Sequence, residues 1–595
     1  MRIGRRAVPA AGVYGACKLR QGTLFDAMDR SVHRACPTAA AAVLLVWTSV
    51  VFVPMAAAQA PLPAQVSPLP GMVPAAPAGP VRAATPETEP HQQDMPDVAV
   101  EVTAAHIEGA SVFAPDDLAP LLDGVVGSAV PLARIEAARL AILRHYRAAG
   151  YALTAVSAVI EPDGLLRLRV TEGRIAAVKL DGDIGPAGVQ VLRLLEVLTE
   201  APVIDNATLE RQLLLAGDVP GVSLRAVLRP SADEPGALTL VAQVSRRAVA
   251  GQVTLDNRAF TRVGPVQGLG VIDFNSFSSL GEHVQIELYR TMNGAQVFGQ
   301  VNADAFLGSS GMRLRLYGGS GVSRPTGPFR SIGYRGLTNL FGAELAYPLV
   351  RSRGLTLNLV GTLDADEGLV DQNGQRSSTD SLRVGRVGVE YVASDALLGA
   401  ERPAVNGVTI RLSRGLSGFA DPARTGQKVG FTKVTLDATR TQTLFQISET
   451  SSVAVLTALA GQYTRNALPG PEEFFLGGSR LARGFYYGEA TGDNALAGTV
   501  ELQWNAVHEV PAIGAPELSA QYYGFADWAR TAEIPRLDQS RLLISAGIGV
   551  RLIPTPRLEL DFEGVNRFTR YPAGSGPGIA PVAAHAFYWR LLARF

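Results

Sequence analysis

Arg483 and Asp527 are the residues whose types and setting point to chemistry, and that chemistry is ion pairing rather than bond making. Arg483 stands beside Gly484 and Phe485 in the run Leu476-Gly477-Gly478-Ser479-Arg480-Leu481-Ala482-Arg483-Gly484-Phe485-Tyr486-Tyr487-Gly488-Glu489. The run lies between two alternating segments and is too long for a tight hairpin. Its glycines suit a folded loop with special backbone geometry. Further on, Phe525-Ala526-Asp527-Trp528-Ala529 reads as a strand in which Phe525, Asp527 and Ala529 share one face. Glu501 shares that face if Val500, Leu502 and Trp504 take the other. An arginine, always charged, on a loop within reach of a carboxylate on a strand makes a loop-to-wall pair, Arg483 with Asp527.

Catalytic chemistry has no comparable support. Neither an H-E-x-x-H nor a G-x-S-x-G pattern occurs, and the seven histidines are scattered. Clusters such as Gly318-Gly319-Ser320-Gly321 read as turns rather than phosphate loops. No catalytic residue, cofactor or metal ligand is expected. The formal net charge is zero, so no long-range field favours nucleic acid.

The elements that must position Arg483 and Asp527 begin after Val249, where helical periodicity gives way to alternation. Val284, Ile286 and Leu288 interleave with Gln285, Glu287 and Tyr289, and Leu558, Leu560 and Phe562 with Glu559, Asp561 and Glu563. One face wants hydrocarbon while the other accepts full charges. About 16 such segments fit into the last roughly 345 residues, an even number within the range of transmembrane barrels. The chain finishes on Phe587-Tyr588-Trp589-Arg590-Leu591-Leu592-Ala593-Arg594-Phe595, with Phe587, Trp589, Leu591, Ala593 and Phe595 on one face and Arg590 and Arg594 on the other. Aromatic residues at the ends of such a strand fit a membrane interface. Closure into a barrel removes every edge, as lipid requires. Residues 249–595 are therefore expected to form a 16-stranded antiparallel transmembrane β-barrel facing outer-membrane lipid. Its lumenal loop would run from about 465 to 494, and Arg483 would meet Asp527 in a wet interior, at a fraction of the strength of a dry pair.

Upstream, residues 97–173 read as strand, helix, helix, strand, strand. Val98–Val102 is followed by a helix over Pro115–Leu122 and a longer one over Pro131–Ala149, whose Ile135, Ala138, Ile142 and Tyr146 recur at three- and four-residue steps. Strands Leu153–Glu161 and Leu165–Val170 flank the turn Pro162-Asp163-Gly164. Residues 174–248 repeat that order about 75 residues later, with Asp205-Asn206 capping the second helix. Each unit exposes a sheet edge able to accept an extended guest strand. Residues 61–96 are a proline- and alanine-rich linker. Residues 1–60 read as a signal peptide, with an apolar run Ala39–Val53, small residues at Ala58-Gln59-Ala60 and an alternative start at Met28. Both cysteines, Cys17 and Cys36, fall in that part.

Taken together these features resemble the outer-membrane translocators of two-partner (type V) secretion, of the haemolysin and filamentous haemagglutinin secretion type in the outer-membrane insertion superfamily. The likeness rests on Tyr146, Gly150-Tyr151, Asp163-Gly164 and Glu172-Gly173 in the first unit. In the second it rests on Leu213-Leu214-Leu215 and Pro220-Gly221-Val222, and in the barrel on Leu255-Asp256-Asn257-Arg258, the segment Leu476–Phe485, Gly492-Asp493 and Glu501-Leu502. It implies two POTRA domains in the periplasm, an R-G-F loop motif (Arg483, Gly484, Phe485) and an F-x-D-x-G-like wall motif (Phe525, Asp527, Ala529). The last position departs from glycine, and Ala482 replaces the usual valine. The implied function is to receive an unfolded exoprotein, adhesin- or haemolysin-like, on the POTRA domains and pass it through the pore. A barrel-assembly factor of the same superfamily is the alternative. The resemblance also implies recognition of Phe595 by the barrel assembly machinery. The plug helix found in many members has no good candidate in the proline-rich stretch.

Overall fold

The computed structural model describes residues 98–595 except 232–233, 420–426, 511–514, 535–539 and 573–579. The expected signal peptide and linker, and any plug helix within them, lie outside the described residues.

The first α/β unit holds β1 (Ala99–Val102), β2 (Ala104–Glu108), α1 (Pro115–Leu118) continuing as a 3₁₀ turn to Leu122, β3 (Gly127–Pro131), α2 (Leu132–Ala148), β4 (Ala155–Ile160) and β5 (Leu165–Thr171). It departs from the simple order expected. The first strand breaks at Thr103 into β1 and β2, because β1 pairs with the additional strand β3 while β2 joins β5 and β4. Helix α2 buries Ile135, Ala138, Ile142 and Tyr146 against that sheet. Gly150, at φ 94°, turns the chain away after it.

The second unit holds β6 (Arg174–Asp181), α3 (Ala187–Glu196), α4 (Asn206–Gly217), β7 (Val222–Pro230) and β8 (Ala237–Arg246), in sheet order β6-β8-β7. Asp205 caps α4 by accepting from the Thr208 amide at 2.9 Å. The two units meet at Gly173, where an added Cβ would lie 2.6 Å from Leu153. The Ile204 amide donates to the Gly173 carbonyl at 3.0 Å, and the Asn206 amide to the Gly150 carbonyl at 2.8 Å.

The remaining strands close on themselves. They are β9 (Val249–Asp256), β10 (Gln267–Asn275), β11 (His283–Thr291), β12 (Gln296–Phe306), β13 (Arg313–Ser323) and β14 (Arg335–Arg351). There follow β15 (Leu355–Gln372), β16 (Gln375–Asp395), β17 (Ala404–Gly415), β18 (Thr432–Ser448) and β19 (Ser451–Thr464). A short hairpin, β20 (Phe474–Leu476) with β21 (Ala490–Gly492), stands apart from the wall. The wall resumes with β22 (Asn494–Val510), β23 (Ala515–Ala532), β24 (Arg541–Thr555), β25 (Leu558–Arg567) and β26 (His585–Arg594), and β26 pairs with β9 to give a closed barrel of 16 antiparallel strands.

Period-two alternation gives the wall two characters. Leu288, Phe341, Leu363 and Ile548 are exposed on the outside, Ile548 at 73%. Inward positions carry Glu287, Asp364, Arg386 and Arg551, which hydrogen-bond to side chains on nearby strands along the inner wall. An outer face of this kind on an edgeless barrel is a lipid-facing surface. Among the described residues no helix is long and apolar enough to cross a membrane.

The second α/β unit is fastened to the barrel's near rim. Arg351 grips the Asp218 carboxylate with two nitrogens, at 2.7 and 2.8 Å. Arg211 donates to the Pro348 carbonyl at 2.8 Å, and Gln190 to that of Gly308 at 2.9 Å. Phe306, at the end of β12, is buried in the second unit's core.

Candidate functional site

The site is built from three adjacent wall strands and one loop. Antiparallel register puts Thr499, Asp527 and Ser545 in one row across β22, β23 and β24, with Glu501, Phe525 and Gly547 in the next. All face inward. Gly547 makes room for the Phe525 ring, since a Cβ there would stand 2.7 Å from it.

The loop between β19 and β22 enters the lumen and presents Arg483 to those rows. Its β20–β21 hairpin is shaped by Gly477 and Gly478, at φ 101° and 98°. Ala482 also adopts a left-handed backbone, φ 54°. The Arg483 amide donates to Asp527 Oδ2 at 2.6 Å, its Nε to the same oxygen at 3.3 Å and its Nη2 to Oδ1 at 3.3 Å. Nη1 donates to Glu501, Nη2 also to Thr499 Oγ1 at 2.9 Å, and the guanidinium lies 3.7 Å above the Phe525 ring centre. Loop and wall motifs are thus brought together.

One expectation is corrected here. The pair is not wet: the Arg483 side chain is 4% exposed and that of Asp527 is fully buried. Leu476, Leu481, Ala482 and Phe485 from the loop pack with Ala497, Ala529 and Leu543 from the wall and roof the pair over. The expectation of a wet lumen omitted this apolar side of the loop. A charge left alone there is costly, so breaking the pair matters more than it would in water.

Gly484 and Phe485 hold the loop tip in other ways. The Gly484 amide donates to Ser545 Oγ at 3.2 Å, and its carbonyl accepts from Tyr588 Oη at 2.9 Å and from Arg567 Nε. A Cβ on Gly484 would lie 2.5 Å from that of Ser545, so only glycine fits without a shift. Phe485 is buried in the roof, with the Arg567 guanidinium 5.8 Å from its ring centre. Ala529 is fully buried in the same cluster.

Several contacts were not foreseen from sequence. Arg258 donates to the carbonyls of Arg483, at 2.7 Å, and Gly478, at 3.2 Å, while holding Glu563 and covering the Tyr588 ring at 4.0 Å. Arg551 shares Glu501 at 2.7 Å. At the loop's root, Glu472 meets Arg386 and Lys433 at 2.7 and 2.8 Å. Asp493 accepts from the Leu468 and Ile534 amides, both at 2.6 Å. Arg258 and Asp493 lie in segments noted above, but neither had a visible partner. Neither Arg386 nor Lys433 was singled out from the sequence.

A closed 16-stranded barrel with two α/β units on one rim and an arginine loop pinned to an inward aspartate narrows the comparison with known proteins. The family model for haemolysin secretion/activation proteins ShlB/FhaC/HecB matches residues 238–552, and that for the ShlB-type POTRA domain matches residues 100–173. The chain belongs to the ShlB/FhaC/HecB family. It is an outer-membrane transporter of two-partner secretion in the Omp85 superfamily, with its POTRA region on the periplasmic side. Two solved structures resemble it: CdiB from Escherichia coli, with 19% identity, a TM-score of 0.66 and 86% of this chain and 93% of that one covered, and CdiB from Acinetobacter baumannii, with 16%, 0.59, 88% and 94%. At these identities the likeness concerns the fold. The comparison with curated proteins gave no match. Membership of the family implies a secreted exoprotein as partner.

Proposed function

We propose that this ShlB/FhaC/HecB-family transporter receives one unfolded exoprotein in the periplasm on its POTRA units and exports it through the barrel lumen once the Arg483 loop moves aside. The observation that carries this reading is the loop itself. It is held in the lumen by hydrogen bonds, ion pairs and apolar packing, with Arg483 set on Asp527 and Glu501, so it can leave and return without breaking a covalent bond.

The two α/β sheets leave strand edges at β2 and β4 and at β6 and β7, and such edges take an extended guest by backbone pairing. The second unit's grip on the rim, through Asp218 and Arg351, would aim the guest at the lumen. The inward wall, dense in Arg, Asp and Glu, suits an unfolded chain whose backbone must stay hydrogen-bonded while water is scarce. Folding of the exported chain outside would give direction, as no nucleotide motif is present. Asp527 and Arg483 hold the loop's resting position.

The culture supernatant of a strain lacking this protein, compared with that of its parent, tests the reading. Loss of one large polypeptide supports it. An unchanged supernatant accompanied by depletion of many outer-membrane proteins would replace it with a barrel-assembly role.

A further inference from the structure

The lumenal loop is fastened at two places, and the two fastenings differ in what they grip. At the root, the Glu472 carboxylate takes Arg386 Nη2 at 2.7 Å and Nη1 at 3.1 Å, together with Lys433 Nζ at 2.8 Å. Lys433 also holds the Glu472 carbonyl at 2.7 Å, and Gln462 Nε2 the same carbonyl at 3.1 Å. Arg386 is braced from behind by Asp364 at 2.6 Å and Ser413 at 3.2 Å. The Glu472 side chain is 3% exposed.

At the tip, three holders bind main-chain carbonyls: Arg258 those of Gly478 and Arg483, and Arg567 and Tyr588 that of Gly484. The cations that hold Glu472 sit on β16 (Arg386) and β18 (Lys433), and the carboxylates that hold Arg483 sit on β22 (Glu501) and β23 (Asp527), two to five steps further round the ring of 16, with Tyr588 on β26 beyond them. The loop thus sets a carboxylate on wall cations at its root and a guanidinium on wall carboxylates at its tip.

The ends differ in what can replace them. Any extended polypeptide offers backbone carbonyls and amides, so a guest chain can take over Arg258, Arg567 and Tyr588, and the Asp527 oxygen that accepts from the Arg483 amide, whatever its sequence, which leaves the Arg483 guanidinium as the tip's one side-chain ion-pair tie described above. A guest backbone has no carboxylate, so it does not displace Glu472 from Arg386 and Lys433. We propose that Glu472 is the pivot of the loop: the tip exchanges its carbonyl contacts for those of the passing chain while the Glu472 clamp stays shut and returns the loop afterwards. Glu472, Arg386 and Lys433 are positioning residues for export. The inference rests on the proposed role of the Arg483 loop as the moving part.

Single-channel recording of the purified full chain in planar bilayers, without cargo, tests the pivot separately from secretion. Glu472→Gln, checked for insertion by heat-modifiable gel mobility, is expected to raise the time spent open about tenfold or more, because it leaves Arg386 and Lys433 facing each other in a buried site. In cells the same variant is expected to lower exoprotein release. The swapped pair, Glu472→Lys with Lys433→Glu, is expected to bring channel behaviour back towards the parent, which loss of packing alone would not allow. Parental gating in Glu472→Gln, no recovery in the swap, or failure of both to insert would each overturn the pivot. A deletion strain with an unchanged supernatant would overturn the export reading instead, whatever the recordings show.

Discussion

Replacing Asp527 with alanine removes the carboxylate that binds Arg483 through its amide, Nε and Nη2, at 2.6, 3.3 and 3.3 Å. Breaking a buried pair by deleting one partner costs about 3–5 kcal/mol. Here Glu501 still faces the guanidinium, but it is shared with Arg551, so it compensates only in part. Stabilisation of the docked loop should fall by about 2–3 kcal/mol, roughly 30- to 150-fold in the docked-to-displaced ratio. Asp527→Asn keeps an acceptor for Thr499 and Arg483 and should cost about 1–2 kcal/mol. Single-channel recording reads the ratio as open time, and a secretion assay reads the consequence: export abolished for Asp527→Ala with the barrel still inserted. Parental open time together with parental secretion in Asp527→Ala would refute the reasoning, and survival of secretion in both Arg483→Ala and Asp527→Ala would remove the pair from the mechanism.

Gly484→Ala adds a Cβ that would sit 2.5 Å from Ser545 Cβ, so it should unseat the loop tip and raise open time in the same direction as Asp527→Ala, measured in the same recordings. Asp218→Ala deletes the two-nitrogen grip of Arg351. It should weaken the attachment of the second α/β unit by about 1 kcal/mol, the partial exposure of Asp218 limiting the loss, and lower secretion with open time unchanged. Glu172 gives a pH signature. Burial would push its carboxyl up, but hydrogen bonds from the Ser111 hydroxyl, the Val112 and Ser111 amides and Tyr146 outweigh that and hold it below the ordinary range. A group depressed in the folded state contributes stability above its unfolded pKa, about 4.3, and loses it as pH falls through the folded value. Amide exchange at Ser111 and Val112, corrected for intrinsic rates, should accelerate below about pH 4 in the parent and show no such step in Glu172→Gln. An identical pH profile in both would count against the assignment.

The barrel was legible because its signal is local. A strand with one face in lipid must alternate, and Phe525-Ala526-Asp527-Trp528-Ala529 shows both its strand character and its inward face in five letters. The partner of Asp527 was legible because Arg483 stands directly before Gly484 and Phe485 in a long glycine-rich loop, a setting that marks it out from the neighbouring Arg480. The dryness of that pair was not, because it depends on Leu481, Ala482 and Phe485 closing over the arginine, and loop packing has no period to read. The Glu472 clamp was hidden for a related reason. Arg386 and Lys433 belong to strands whose inner faces mix charged, polar and apolar residues, and other barrel strands carry inward charges that pair with each other, so nothing local distinguishes the charges that meet the loop. In the first α/β unit the break at Thr103 was missed because β1 is short and its partner, β3, is Gly127–Pro131, a run too mixed to announce a strand.

The central claim is that the exoprotein travels inside the barrel. Thr409 and Ile410 are neighbours on β17, one facing the lumen and the other, 48% exposed, facing lipid. A photo-crosslinking residue placed at each in turn, in cells actively secreting, tests the claim directly. Capture of the exoprotein from position 409 and not from 410 is the predicted result, and capture from 410 alone, or from neither, would contradict it.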